Sequence, residues 1–197
     1  MNIIDTLALA FGSAWTSGLN LYATVAVLGL VQRMGWARLP GDLQVLDHWG
    51  IIGLALALYA IEFIADKVPY VDSIWDAVHT FVRVPAGALL ALAATTGLDP
   101  KIQVAAFLLG GGLAFSTHAS KAAVRAGTNL SPEPFTNWLL SLAEDALAIG
   151  AIIVALLHPL VIFAIIFISL LLFIWLVPKA VRRLRAMMTT LRRALGT

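Results

Sequence analysis

The 197-residue sequence contains no cysteine. Disulfides, thiolate metal sites and cysteine nucleophiles are thereby excluded, and nothing is said about compartment. Charge is scarce as well. Asp, Glu, Lys and Arg make up 12% of the chain, against about 25% in soluble domains. The sequence has no HExxH motif, no GxSxG motif and no pair of histidines at metal-ligand spacing. Those absences argue against an enzyme and imply neither a metal nor another cofactor. His118 and His158 stand alone, and a lone histidine is more often a hydrogen-bonded helix contact than a ligand. The opening stretch, MNIIDTLALAFG, lacks a basic n-region and a cleavage motif, so it reads as a membrane span and not a signal peptide.

What is present is apolar. Hydrophobic residues are 60% of the chain and mean hydropathy is +0.91, a composition that predicts an all-α, multi-pass membrane protein. About six spans are expected: Asp5 to Val31, Trp49 to Ile64, a third ending near Ala94, Ile102 to Arg125, Asn137 to Leu157, and Leu160 to Val177. The last holds only Ser169 as a polar residue and should face lipid. The single membrane domain covers 1–178, followed by a basic amphipathic tail helix over 179–197.

The tail carries six of the thirteen Lys and Arg residues, leaving seven basic and eleven acidic groups in the body, a net of −4. Val181, Leu184, Met188, Leu191 and Leu195 share one face there, so the tail suits anionic lipids and not nucleic acid. The positive-inside rule puts this end, and with six spans the N-terminus also, in the cytoplasm. Trp36, Trp49, Trp75, Trp138 and Trp175 lie near span ends, as interfacial anchors do.

The first segment would measure about 40 Å at ~1.5 Å per residue, more than a hydrocarbon core of about 30 Å. It must tilt or break, and WTSGLN (Trp15 to Asn20) is the expected break. Ser13, Ser17, Asn20 and Thr24 form a polar stripe, which fits either helix packing or the lining of a pathway. The fourth segment holds GGGLAFSTHASKAAVR (Gly110 to Arg125), where Thr117, His118, Lys121 and Arg125 occupy membrane depth. Ionisable groups there cost several kcal/mol and usually face a bundle interior or a hydrated cavity. Arg125 also fits the headgroup region at a helix end. Asp72, Asp76, His79 and Arg83 share one face of the third segment, next to Glu62, Asp66 and Lys67. An interfacial acidic loop with a snorkelling Arg83 would explain these too. Glu144 and Asp145 add two adjacent carboxylates to the fifth segment.

Sliding the fourth span back one hundred positions aligns it with the first: Gly12 with Gly112, Ala14 with Ala114, Trp15 with Phe115, Ser17 with Thr117 and Asn20 with Ser120. With three spans between equivalent positions, the copies (about 5–98 and 101–177) would run in opposite directions. That predicts an inverted-topology repeat with broken helices in the first and fourth spans.

GLNLYA, the EFIADKVPYVDSIWDAVHTFVRVPAGALLAL block, GGGLAFSTHASKAAVRAG and SLAEDALA together resemble a family of bacterial membrane proteins catalogued as domain of unknown function 4126. The resemblance covers Ala8 to about Pro159 and leaves the last span and tail outside. It implies an integral protein of the bacterial inner membrane and marks Glu62, Asp66, Lys67, Asp72, Asp76, Arg83, His118, Lys121, Glu144 and Asp145 as motif positions. It implies no activity.

The residues point to a small transporter or channel for a charged solute or ion. Its site would comprise Ser17, Asn20, Glu62, Arg83, Thr117, His118, Lys121, Glu144 and Asp145, with Asp66, Lys67, Asp72, Asp76 and Arg125 as a secondary polar cluster. Lys121, with His118 and Arg125, would attract an anionic group or balance a carboxylate, while Glu62, Glu144 and Asp145 would take a cation or protons. A lipid-binding or lipid-flipping protein and a scaffold with register-fixing ion pairs are the other readings. A homodimer is expected, packed through small-residue faces at Gly110 to Ala114 and Ala86 to Ala91.

Overall fold

The computed structural model describes residues 2–68, 71–128 and 134–194. Among these residues lie six α-helices: α1 (Ile3–Arg33), α2 (Trp49–Ala65), α3 (Val71–Thr95), α4 (Pro100–Thr128), α5 (Pro134–Leu157) and α6 (Pro159–Ala194), with a short 3-10 helix at Gly41–Asp47. The starts are legible locally. Asn2 and Asp5 form a reciprocal capping box, His48 accepts from Gly50 N, and Pro100, Pro134 and Pro159 open their helices where no backbone donor is needed.

The protein is an all-α membrane protein. By length and composition five helices could cross a membrane, or six when the 3-10 helix and α2, bent by 76°, are one span. α1 is the centre: 78% of its most apolar stretch is buried, against 11% for α6. A helix enclosed on every side belongs to the interior, and one exposed on every side belongs to lipid.

α1 breaks at Asn20, whose backbone (φ −146°, ψ 102°) is extended. The break is a reversal. Gly12 packs against Ala155 and Ile162, and Val27, Leu30 and Val31 share a cavity wall with Ile153, Leu156 and Leu157. Gly12 and Leu30 therefore lie beside the same end of α5, although a straight helix would hold them about 27 Å apart. Asn20 itself meets Asp145, ten residues or about 15 Å farther along α5. Thr6, near the start of α1, shares a cavity with Arg38, Leu39 and Pro40, just past its end. The two halves, 3–19 and 21–33, thus dip to mid-bundle and return.

This reversal corrects two expectations. α1 does not cross, so its N-terminal end lies opposite the end of α6 that carries the basic residues, where Leu176 lines a groove with Lys121 and Val124. The chain ends do not share a side. The inverted repeat fails too. Ala14 sits beside Gly110, Gly18 beside Thr117 and His118, and Leu19 O beside Lys121, so the first half of α1 and α4 run parallel. α4 is also unbroken from Pro100 to Thr128, and the hydroxyls of Ser116, Thr117 and Ser120 donate to carbonyls of their own helix.

Part of the small-residue faces assigned to a dimer is used within the chain, while Gly112 stays open. A Cβ on Gly87 would strike Ala114, Ser17 and Ala14, and one on Gly110 would strike Ala91. Gly41 (φ +54°) lets the 3-10 helix sit on Ala93 O and Thr96, where a side chain would collide. α6 continues through Pro178 to Ala194. Leu184, Met188, Leu191 and Leu195 of the amphipathic face lie outside the described side chains. Trp36, Trp49, Trp138 and Trp175 are exposed, whereas Trp75 turns inward and stacks on His79.

Candidate functional site

Breaking a helix at membrane depth strands backbone groups, and those groups need partners. Asn20 serves as the cap of the second half of α1, its Oδ1 accepting from Ala23 N at 2.9 Å. The carbonyls at the end of the first half, Gly18 O and Leu19 O, accept from Arg83 Nη1 and Lys121 Nζ, each at 3.4 Å. Cations thus sit at the negative end of one half-helix, and Asp145 sits at the positive end of the other, 2.9 Å from Asn20 Nδ2.

Around this break lies a buried ionic network. Arg83 Nη2 is 2.5 Å from Glu62 Oε1, and Arg83 Nη1 is 3.2 Å from Asp76 Oδ1. Lys121 Nζ lies within 4.0 Å of four carboxylates: Asp66 at 3.1 Å, Glu144 at 3.4 Å, Asp76 at 3.6 Å and Glu62 at 4.0 Å. Arg125 grips Glu144 with two nitrogens, at 2.6 and 3.2 Å, and reaches Asp72 at 3.2 Å and Asp66 O at 3.0 Å. All nine ionic side chains, Asp145 included, are buried; Arg83 and Glu62 are at 0% exposure. The snorkelling reading of Arg83 and the headgroup reading of Arg125 are therefore set aside.

Among the described residues the network holds six carboxylates (Glu62, Asp66, Asp72, Asp76, Glu144, Asp145) and three enclosed cations, a formal excess of three negative charges, with Lys67 at the edge in electrostatic reach of Asp66 and Asp145. Glu62 Oε2, Asp66 Oδ1 and Asp76 Oδ2 are buried and have no hydrogen-bond partner among the described residues. Lys67 stands at the edge, its ammonium bonded to Phe63 O at 2.8 Å and lying over the Phe63 ring. Burial lowers its pKa from the usual lysine value. Asp72, just outside the apolar stretch of α3, is pushed up to about 6 by burial, with Arg125 pulling the other way.

His118 is held by hydrogen bonds. Arg83 donates to Nδ1 at 3.0 Å, so Nε2 carries the proton and donates to Asp76 O at 3.1 Å and Thr80 Oγ1 at 2.7 Å. Thr80 and Tyr22 escaped the sequence reading. Thr80 Oγ1 donates to Asp76 O, and Tyr22 Oη lies 2.9 Å from His79 Nε2. Tyr22 stands in an apolar run with no periodic signal, while Thr80 looks like any helical threonine. Two expected residues do not join the network: Ser17 donates to Ala14 O and Thr117 to Leu113 O.

The sequence profile of the family described as Domain of unknown function (DUF4126) matches residues 7–179. The chain belongs to this family. The match reaches through α6, beyond the Ala8 to Pro159 stretch that carries the resemblance, and every residue of the ionic network lies within it. No curated protein and no solved structure matches the chain.

Proposed function

We propose that this protein is a transporter or channel of the bacterial inner membrane, without enzymatic activity, that moves protons or a small cationic solute through the network around Asn20. The basic end of α6 would face the cytoplasm. The observation carrying this reading is the charge excess: six enclosed carboxylates face three cations, and Glu62, Asp66 and Asp76 each keep an oxygen unpaired. A network built only to fix helix register would be balanced, because each uncompensated buried ion costs several kcal/mol. A cation or protons would relieve the excess. Glu62 and Asp66 come from the end of α2 and Asp76 from α3, and no three acidic or histidine groups among the described residues converge as a metal site requires. Protons or an organic cation therefore fit better than a metal ion.

An anionic substrate fits poorly, since Lys121 is committed to four carboxylates. Re-entrant half-helices meeting at mid-depth are what transporters use to present ends of backbone to a solute. The test is voltage-driven proton uptake into proteoliposomes carrying an internal pH dye. Glu62→Gln should lower uptake at least tenfold while the purified protein keeps its thermal stability. Uptake by the wild type no faster than by empty vesicles, or equal uptake by the variant, would refute the proposal.

A further inference from the structure

α4 and α5 barely touch along their lengths, and α6 covers the gap incompletely. The result is a cavity of about 250 Å³, lined by apolar side chains including Leu140, Leu147 and Leu172 and floored by Lys121 and Glu144. Leu147 and Leu172 are exposed on the outer surface of the bundle, so the cavity faces the acyl chains. Glu144 is the least enclosed carboxylate of those in ion pairs, its side chain 10% accessible.

The polar chemistry of this groove is one-sided. The hydroxyls of Thr117, Ser120 and Ser169 donate to carbonyls of their own helices. The indole N–H of Trp15 is spent on Ser169 Oγ at 2.6 Å. Lys121 and Arg125 are spent on carboxylates. Every donor is occupied, while hydroxyl and carboxylate oxygens retain lone pairs that can accept. A phosphate or sulfate head needs donors and would find none free. An ammonium head brings donors and a positive charge to a network with three negative charges in excess.

We infer that the groove between α4, α5 and α6 is a lateral binding site for amphiphilic primary amines, which reach Glu144 from within the bilayer. The inference rests on the cation-binding reading of the network and names its substrate class and route. The apolar walls take the alkyl chain, and the ammonium is taken by the hydroxyl oxygens of Ser120 and Thr117 and by the remaining lone pairs of Glu144, whose oxygens already accept from Arg125.

Trp15 lines the groove and reports occupancy. Vesicles containing the full chain would receive either a brominated long-chain alkylamine or a brominated alkyl sulfate of equal length, and the Trp15 share of emission would be taken by difference from Trp15→Phe. The amine should quench that share several-fold more steeply than the sulfate. Leu140→Phe, which narrows the groove away from the ion pairs, and Ser120→Ala, which removes one acceptor, should each weaken amine quenching several-fold. Equal quenching by both probes, stronger quenching by the sulfate, or none of the Trp15 share overturns the inference, as does amine quenching untouched by both variants. Proton uptake by the same preparations separates the two proposals: retained uptake without amine binding sinks only the groove, and binding without uptake sinks only translocation.

Discussion

Asn20 joins the break in α1 to Asp145 of α5: its Nδ2 donates to Asp145 Oδ1 and its own Oδ1 accepts from Ala23 N, both at 2.9 Å. One side chain therefore caps a half-helix and ties it to α5. Asn20→Ala should cost about 1 kcal/mol for the cap and a further ~1–3 kcal/mol for the stranded carboxylate. Asn20→Asp keeps the cap but sets a carboxylate against Asp145, so its loss should shrink as pH falls. Thermal unfolding in detergent at neutral and acid pH checks both; equal stability of wild type and Asn20→Ala would remove Asn20 from this role.

The approach of α1 to α4 rests on Gly18. A Cβ there would collide with Ala114 O and come within 2.8 Å of Thr117 Cβ and 3.1 Å of His118 N. Backbone cannot step aside cheaply, so Gly18→Ala should destabilise by about 1–3 kcal/mol. Gly112, on the same helix as Ala114, has nothing within 4 Å of its added Cβ. Gly112→Ala should be neutral or gain up to about 1 kcal/mol. Paired melting curves decide the matter.

Lys121 is the hinge of the charge balance. Lys121→Met raises the enclosed excess from three negative charges to four and should cost about 3–5 kcal/mol. Adding Glu144→Gln to it restores the original excess and should recover part of the loss, apart from the share Arg125 forfeits. A double-mutant cycle with a coupling energy near zero would contradict the geometry.

Asp72 gives a pH dependence with a definite sign. Its folded pKa of about 6 lies above the ordinary 3.8, so the folded state holds this proton more tightly than the unfolded state. The stabilisation it adds is full below pH 3.8 and is lost as pH rises through about 6. Asp72→Asn removes that slope. Stability relative to wild type should therefore increase from pH 4 to pH 7, and parallel curves across that window would show the carboxyl to be unperturbed.

The opposed chain ends are open to direct test, because the protein has no native cysteine. Single cysteines at Ile3 and Lys179 should react with an impermeant maleimide from opposite faces of oriented vesicles. Labelling from the same face would mean that α1 crosses.

The break in α1 was legible because thirty-one residues exceed the bilayer and Asn20 lies among small polar residues. Its reversal was not, since periodicity fixes which residues share a face and not the direction the chain takes after an extended residue. The network was legible through cost: ionisable groups in apolar segments stand out. Its pairings were not, as Arg83 finds Glu62 twenty-one positions away and Lys121 finds Asp66 fifty-five away. The hydroxyls of α4 misled, because a serine that bonds its own helix looks the same in sequence as one beside a break. The apparent repeat has a packing cause: the segments around Gly18 and Ala114 lie on one another, and both need small residues for that contact.

Because the tip of α1 draws its partners from α3, α4 and α5, its broken backbone is satisfied only when those three helices are in place. Unsatisfied peptide groups at Asn20 would be intolerable among lipid tails. The break is therefore tolerable in the bilayer only together with the helices that supply its partners.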